Sequence, residues 1–336
     1  MTDTQIKTID DIARLAGVSK STVSRALNDS PLIGSETKER IRRIAREHRF
    51  ERNDTARRLS LGQSNVVALV TYDYSAKLVQ ASPFALELMS GITAGLHANG
   101  YDLLVIQVSP KDTDWVARYL ESGRVDGFVL MSGNCSLQHI STLMERNAPF
   151  ITFGIPAGRR GYSWVTGDNY TGGKLATEHL IGSGRKRVGF IGGSAKLVDV
   201  QDRYAGYVAA LEDAGRAVEP ELVVYGDFSP ESGAAAIGML LSVAPDLDGV
   251  FVNSDLMAVA AMDEIRAHGR SVPDDIAVVG YDDVALAAHT DPPLTTISQS
   301  VTVAGRMLAE NLVQLLRTGV GANVTVPAEL VVRKSA

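Results

Sequence analysis

The sequence predicts a small all-α headpiece followed by an α/β body of two similar parallel-sheet lobes. Charge is segregated between these parts, because residues 1–64 contain 13 Lys and Arg against 9 Asp and Glu, whereas the other 272 residues contain 20 against 30. Apolar residues recur at helical spacing in the first fifty residues, and short apolar runs alternate with amphipathic segments thereafter. The 336 residues are enough for two or three compact units.

Cysteine content and hydropathy limit the class of protein. The single cysteine, Cys135, excludes an intrachain disulfide, and the start Met1-Thr2-Asp3-Thr4 has no signal-peptide pattern. Apolar runs are far shorter than the ~18 residues that suggest a membrane span. We therefore expect a cytoplasmic protein that does not enter a membrane.

The first two helices of the headpiece are delimited by their capping residues. Thr8 with Asp11 three residues later is typical of an N-cap, so helix one starts near Ile9. Gly17 ends this helix, and Ser19 caps a second helix that starts near Lys20. The apolar positions of the first helix share one helical face: Ile9, Ile12, Ala13 and Ala16.

The spacing of small and apolar residues favours helix-turn-helix geometry. Ala13 permits close helix contact, Gly17 permits a sharp turn, and Val23 fills the gap between the helices. A third helix, about residues 35–48, buries its apolar stripe and leaves most of its arginines outside. The alternative is a three-helix interaction module without a role in DNA binding. The outward face of the second helix is short and polar: Lys20, Ser21, Thr22, Ser24 and Arg25.

This headpiece resembles that of the lac repressor family. The resemblance is carried by three segments: Thr8-Ile9-Asp10-Asp11-Ile12-Ala13, Ala16-Gly17-Val18-Ser19 and Thr22-Val23-Ser24-Arg25, with Asn28. It implies that Lys20, Ser21 and Arg25 read bases in the major groove, where arginine suits guanine. It also implies a set of phosphate contacts that position the headpiece: Thr8, Thr22, Ser24, Asn28 and Thr37.

Residues 51–62 form a predicted hinge between residues 1–50 and 63–336. Asn53 is a good N-cap and the following residues favour a helix, but two turns are marginal alone in water. The family resemblance implies that Ala56 and Arg57 line the DNA minor groove while Leu59 wedges between base steps. The alternative is a solvated tether with one incidental leucine.

The body reads as two rounds of alternating strands and helices, which predicts two parallel-sheet lobes. The fold is like that of periplasmic binding proteins. We predict lobe one over residues 63–161 and 292–320, and lobe two over residues 162–291 and 321–336. The predicted strands span residues 66–71, 102–107, 126–131, 150–153, 187–192, 222–225, 249–252 and 276–280.

Ligands of such folds bind at the carboxyl ends of strands, here between the lobes. The resemblance continues through segments such as Asp202-Arg203-Tyr204 and Gly280-Tyr281-Asp282-Asp283, and it implies a small-molecule effector. An arginine fork, a carboxylate and an aromatic face together suit a sugar. The implied effector residues are Arg203, Phe228, Ser254 and Asp282 from lobe two, and Phe84, Ser132, Trp164 and Tyr72 from lobe one.

Each of these residues also has an ordinary structural interpretation. Arg203 suits a structural salt bridge, Phe228 suits a core position, and Asp282 suits a loop cap. Gly154 and Ile155 replace the aspartate and arginine found in some sugar-responsive relatives, so the sequence leaves the effector open. It also leaves open whether the effector releases DNA or promotes DNA binding.

Two other classes of protein share features with a DNA-binding regulator. An α/β enzyme is disfavoured because Gly189–Gly193 lacks dinucleotide-binding spacing, residues 167–174 lack a P-loop, and the histidines lack metal-ligand spacing. No catalytic residue, metal or cofactor is therefore predicted. A transport binding protein shares the two-lobed body but lacks a basic headpiece.

One headpiece offers only a few base-reading side chains, so useful specificity requires two half-sites. We therefore expect a homodimer on a palindromic double-stranded DNA operator. The sequence predicts a sequence-specific transcriptional regulator, most simply a repressor, that is controlled by a small molecule, with a sugar or sugar derivative as the favoured class.

Overall fold

The structure is a computed structural model that describes residues 8–27, 29–48, 50, 63–72, 82–109, 111–112, 114–131, 137–154 and 161–336, without the side chains of Tyr72 and Leu137. By its contacts the chain divides into two units, Met1–Gly62 and Gln63–Ala336. The predictions made for Asn28, for Ser132 and for the hinge residues Ala56, Arg57 and Leu59 lie outside the described residues.

The described residues of the headpiece form three helices: α1 (Ile9–Ala16), α2 (Lys20–Leu27) and α3 (Ser35–Glu47). The Thr8 side chain caps α1 and Asp11 reciprocates, which together form a capping box. Gly17 ends α1 at φ 64°, a left-handed conformation that glycine adopts without steric cost. The buried mini-core consists of Ile12, Ala13, Ala16, Val23, Ala26, Ile41 and Ala45. The predicted helix-turn-helix is confirmed.

The body alternates strands and helices along the chain. Its strands are β1 (Val66–Tyr72), β2 (Asp102–Val108), β3 (Gly127–Met131), β4 (Phe150–Phe153), β5 (Ser163–Gly167), β6 (Val188–Gly192), β7 (Val223–Tyr225), β8 (Gly249–Val252), β9 (Ala277–Asp282), β10 (Thr295–Ser298), β11 (Asn323–Val326) and β12 (Glu329–Val331). Its helices are α4 (Pro83–Ala98), α5 (Leu137–Glu145), α6 (Asn169–Gly182), α7 (Val198–Asp213), α8 (Pro230–Val243), α9 (Asp255–Ala267) and α10 (Val301–Thr318). A π-helical segment, Ala117–Glu121, lies between β2 and β3.

These strands form two six-stranded sheets, one for each lobe. The first has the order β11-β5-β4-β3-β1-β2, and all of its pairs are parallel. The second has the order β12-β10-β9-β8-β6-β7 and is parallel except for the antiparallel pair of β10 with β12. Each sheet packs against two buried apolar clusters. The predicted pair of parallel-sheet lobes is confirmed.

The chain crosses between the lobes at different places from those predicted. The sequence predicts lobe two over residues 162–291 and 321–336, with residues 292–320 in lobe one. Instead β5 and β11 extend the first sheet, whereas β10 and β12 extend the second. Strand β5 stays in lobe one because it pairs in parallel with β4, from Ile151 opposite Ser163 onward. The three crossovers therefore lie at residues 167–169, 298–301 and 326–329.

Helix α10 belongs to lobe one although it lies late in the chain. It packs along α4 so closely that a Cβ on Gly91 would lie 2.1 Å from the carbonyl oxygen of Thr302. Its buried face joins residues of α4 and of the first sheet in one apolar cluster. The residues that α10 contributes are Val301, Ala304, Leu308, Ala309, Leu312 and Val313. Within the described ranges no helix has the length and apolarity to cross a membrane.

Candidate functional sites

The exposed face of α2 carries the three predicted base-reading residues. Lys20, Ser21 and Arg25 are all exposed, and the helix is held to its neighbours by Val23 and Ala26 on the opposite side. Lys20 Nζ lies 2.9 Å from Asp10 Oδ2, and such an exposed ion pair is weak enough to be exchanged for another partner. Arg25 forms no ion pair with a described residue. This face is therefore available to a ligand without disturbing the mini-core.

Three of the predicted phosphate contacts that are described lie at helix starts, namely Thr8, Thr22 and Thr37, whereas Ser24 lies in the middle of α2. Thr8 precedes α1 and Thr37 is in the first turn of α3, where unpaired backbone N–H groups favour anions. Thr22 Oγ1 lies 2.8 Å from Ser19 Oγ, and Ser24 is half-buried on the same helix. Thr8 has a second task, because its hydroxyl donates to Asp11 Oδ2 at 2.7 Å and accepts from Asp11 N at 3.3 Å.

Arg203 lies in the first half of α7 and is only 6% exposed. Its Nε donates to Asn169 Oδ1 at 2.8 Å, and its Nη1 donates to the carbonyl oxygen of Asn253 at 2.6 Å. Its guanidinium carbon lies 3.6 Å from the ring centroid of Tyr281, a close cation–π contact. No described carboxylate lies within 4.0 Å, so Arg203 is held by neutral partners rather than by the structural salt bridge considered above.

Asn253 follows the last residue of β8 and is fully buried. Neither its side-chain nitrogen nor its side-chain oxygen has a hydrogen-bond partner among the described residues. A buried unpaired amide costs free energy, and such groups are commonly satisfied by a ligand or water. Ser254, the next residue, caps α9 by accepting from Met257 N at 3.2 Å, which leaves its own O–H able to donate.

Two buried carboxyl groups, those of Asp255 and Asp282, belong to the same region as Arg203. Asp282 ends β9, and its Oδ1 accepts a hydrogen bond of 2.7 Å from Gln299 Nε2. Burial raises the pKa of Asp282 to about 7, although the Arg203 charge and the Gln299 hydrogen bond oppose this rise. Burial also raises the pKa of Asp255, and the nearby Asp282 charge adds to the effect. Asp255 accepts from Thr296 Oγ1 at 2.5 Å and from Val284 N at 3.0 Å, so both of its oxygens are engaged.

Phe228 lies between β7 and α8 with φ 69°, a left-handed conformation that is uncommon for an aromatic residue. Its ring covers Gly193, which follows β6, because a Cβ on Gly193 would lie 2.2 Å from the ring. The ring is half-buried against the second lobe's core. One part of the Phe228 ring therefore belongs to the core while another part remains accessible.

The first lobe brings one of its predicted effector residues to a strand end. The Phe84 ring lies 5.5 Å from that of Phe153, the last residue of β4. Trp164 is different, because it is the second residue of β5 and lies opposite Thr152 rather than at the carboxyl end. Tyr72 ends β1, although its side chain is not among those described. Trp164 thus lies nearer the amino end than the carboxyl end of its strand.

Comparison with known proteins places these features in one family. Residues 8–53 match the family described as bacterial regulatory proteins, lacI family, and residues 177–336 match the periplasmic binding protein-like domain. The HTH-type transcriptional regulator CelR of Thermobifida fusca is 37% identical over 98% of both chains. The chain belongs to the lacI family. Within this family, the ribose operon repressor of Haemophilus influenzae is 31% identical over 92% of each chain.

Solved structures of lacI-family proteins share this fold over nearly the whole chain. The transcriptional regulator CelR–cellobiose complex is 34% identical, with a TM-score of 0.77 over 98% of this chain and 100% of that chain. The lac repressor dimer bound to operator and the anti-inducer ONPF is 26% identical, with a TM-score of 0.83 over 98% of both chains. The predicted family, fold class and function as an effector-controlled transcriptional regulator are therefore confirmed.

For this lacI-family chain, the structure brings four predicted effector residues to the carboxyl ends of the second sheet: Arg203, Phe228, Ser254 and Asp282. Sequence reasoning missed Asn253, which is also at a strand end and is the first polar residue after a buried apolar strand. That position was a sufficient signal to find it. Gln299 was missed because its contact with Asp282 joins residues from two different elements.

Proposed function

We propose that this lacI-family regulator is a repressor that binds a palindromic operator as a homodimer. It releases the operator when a sugar binds at the carboxyl ends of the strands of the second sheet. A regulator that acts on the chromosome works in the cytoplasm, and we propose no catalytic role for its buried carboxyl groups. The lac repressor structure, a dimer bound to operator, supports the assembly. The unpaired buried amide of Asn253 beside Arg203 carries the effector assignment.

On the DNA side, α2 offers a polar face of the right size for the major groove. We propose that Lys20, Ser21 and Arg25 contact base edges. The proposed phosphate contacts are Thr8, Thr22, Ser24, Asn28 and Thr37. We further propose that the hinge residues Ala56, Arg57 and Leu59 enter the minor groove, where the leucine separates base steps.

On the effector side, the polar groups suit a ligand rich in hydroxyls. Arg203 supplies donors, Asp282 supplies an acceptor, and the Asn253 amide supplies one of each. The half-buried ring of Phe228 offers an apolar surface of the kind that sugar C–H groups prefer. We propose a β-linked glucose disaccharide as the effector, because a relative with 34% identity over nearly the full chain is described as a cellobiose complex.

The test measures DNA binding and sugar binding on the full-length protein. A palindromic operator is first selected from random DNA, and its affinity is then measured by fluorescence anisotropy with cellobiose, ribose or no sugar. We expect cellobiose to weaken operator binding by about 5- to 150-fold, the usual range of allosteric coupling. The proposed function is wrong if no DNA sequence is selected, and the proposed effector is wrong if ribose acts and cellobiose does not.

Two asparagine variants separate effector recognition from folding. Asn253→Ala removes an amide without a described partner, so we expect a loss of cellobiose affinity of tenfold or more with little loss of stability. Asn311→Ala is the control, because that amide exchanges two hydrogen bonds with the backbone of Ala322. The control should destabilise the fold and leave cellobiose affinity unchanged. Calorimetry that finds equal cellobiose affinity in Asn253→Ala and the parent would refute the assignment.

A further inference from the structure

The two lobes contact each other directly through the side chain of Glu87. This residue lies in the first half of α4, in lobe one, and its Oε1 accepts a hydrogen bond of 2.9 Å from the backbone N–H of Ala285. Ala285 begins a short 3₁₀ helix of lobe two, Ala285–His289, three residues after Asp282. The other interlobe hydrogen bonds between described residues involve the crossovers: those of Thr166, Asp168, Asn169 and Gln299.

Asp282 is fixed in place within reach of the Glu87 charge. Asp282 is 8% exposed, its φ of 116° is strained for a residue other than glycine, and Gln299 holds one of its oxygens. Burial is the main cause that raises the pKa of Asp282 to about 7, and the negative charge of Glu87 makes a smaller contribution to that rise. A negative charge on Asp282 therefore repels the carboxylate of Glu87, the side chain that joins the lobes.

The charged groups around Asp282 do not neutralise it fully. Asp255 faces it from α9 and is itself a buried carboxyl. Asp283 adjoins it but is paired with Arg333 at 2.6 Å. Arg203 from α7 is the remaining cation of this set, and its guanidinium lies over the ring of Tyr281. Arg203 therefore opposes the raised pKa of Asp282 without removing it.

We propose that Glu87 is a latch between the lobes and that the charge on Asp282 decides whether the latch holds. When Asp282 is neutral, Glu87 remains hydrogen-bonded to Ala285. When Asp282 is ionised, its negative charge repels that of Glu87. The open arrangement, in which the Glu87–Ala285 hydrogen bond is broken, then becomes more populated. If the effector is a sugar, as proposed above, its hydroxyls would favour the ionised carboxylate by hydrogen bonding and so open the latch, but the latch itself does not depend on the effector.

The direction of the pH dependence follows from the same contact. Glu87 raises the pKa of Asp282 only while it lies nearby, so Asp282 binds its proton more tightly in the latched arrangement. Protonation therefore favours the latched arrangement. The latched fraction should fall as the pH rises through about 7.

Hydrogen exchange of the Ala285 amide reports the latch on the full-length, ligand-free protein. The protection factor, corrected for intrinsic exchange, should fall by about fivefold or more as the pH rises across the neutral range. The amide of Ala287 is the internal control, because it donates to Val284 O at 2.8 Å within the same turn and reports only local unfolding. Its protection factor should not change.

Three variants at two positions separate the hydrogen bond from the charge. Glu87→Ala removes the acceptor, so Ala285 should exchange rapidly at every pH. Glu87→Gln keeps an acceptor without the charge, and Asp282→Asn removes the opposing charge, so both should retain protection that no longer depends on pH. Glu310→Gln, which makes the same change of net charge on an exposed residue of α10, should behave like the parent.

Carboxyl-carbon NMR of the same proteins supplies a second measurement. Glu87→Gln should lower the midpoint of the Asp282 titration, because it removes a neighbouring negative charge. The proposal is refuted if protection of Ala285 in the parent is independent of pH, or if its pH dependence persists in both charge-removing variants. A failure of cellobiose to bind would overturn the proposed effector and leave these measurements unaffected.

Discussion

The headpiece and the second lobe expose their functional side chains to very different degrees. On α2, Lys20, Ser21 and Arg25 are exposed, and other residues form the mini-core. In the second lobe, Arg203 and Asp282 are buried and hydrogen-bonded to the framework. DNA recognition can therefore change at little cost to folding, whereas a change at Arg203 or Asp282 also changes the stability of the lobe that carries them.

Arg203→Ala should produce the largest loss of stability and so test the buried half of this comparison. It leaves Asn169 Oδ1 and the Asn253 carbonyl short of a donor and uncovers the Tyr281 ring. We expect the free energy of unfolding to fall by about 2–4 kcal/mol, as measured by urea denaturation followed by circular dichroism. Cellobiose binding should be lost as well.

The control for this variant is Arg216→Ala. Arg216 also donates to main-chain carbonyl groups, of Arg185 and Lys186, but it lies near the start of β6 rather than at its carboxyl end. It should lower stability less and leave cellobiose affinity unchanged. If the Arg203→Ala protein is as stable as the parent, Arg203 contributes to effector binding but not to folding. That result would contradict the contrast drawn between the headpiece and the second lobe.

Gly173→Ala should have the next largest effect and requires no loss of a polar group. A Cβ at Gly173 would lie 2.1 Å from the carbonyl oxygen of Arg203, because α6 and α7 approach backbone to backbone. We expect a loss of about 1–3 kcal/mol from this overpacking, in the same denaturation experiment. Gly182→Ala on the same helix meets nothing within 4 Å and should stabilise by up to about 1 kcal/mol. Equal effects of the two variants would contradict this packing.

Arg25→Ala should have the smallest effect on folding and test the exposed half of the comparison. The free energy of unfolding should change by less than about 0.5 kcal/mol, because the side chain is exposed. Operator affinity should fall by about 1–3 kcal/mol with relaxed preference at one base pair, as measured by anisotropy on single-site operator variants. Thr37→Ala should instead weaken all DNA sequences alike. Equal losses on operator and random DNA for Arg25→Ala would refute base reading.

Local chemistry made the headpiece and much of the body predictable. The Thr8 and Asp11 pair and the left-handed Gly17 are capping features that act within a few residues, so the bounds of α1 could be read directly. Strands β4 and β8 were predicted with their observed ends because they are short runs with at most one polar residue, Thr152. The family resemblance, together with the expectation that ligands bind at strand ends, led to Arg203, Phe228, Ser254 and Asp282.

The crossovers and the interlobe contacts could not be read in this way. Whether β5 joins the first or the second sheet depends on pairing with β4, which is set by the whole lobe rather than by residues 163–167. Glu87 looks like one more charged residue on an amphipathic helix, and only the folded chain shows its contact with Ala285, 198 positions away. The position of Trp164 along the sheet likewise depends on strand register, which the neighbouring sequence does not set.

The late position of α10 determines the order in which the lobes can be completed during synthesis. Residues 301–326 supply a helix and an edge strand to lobe one, yet the ribosome makes them after strands β6 to β10 of lobe two. The apolar side of α4, including Leu88, Ile92 and Leu96, therefore remains without its helical partner until then. Because domains generally fold as their chains emerge, the nascent first lobe is the part of this protein that most needs protection from aggregation.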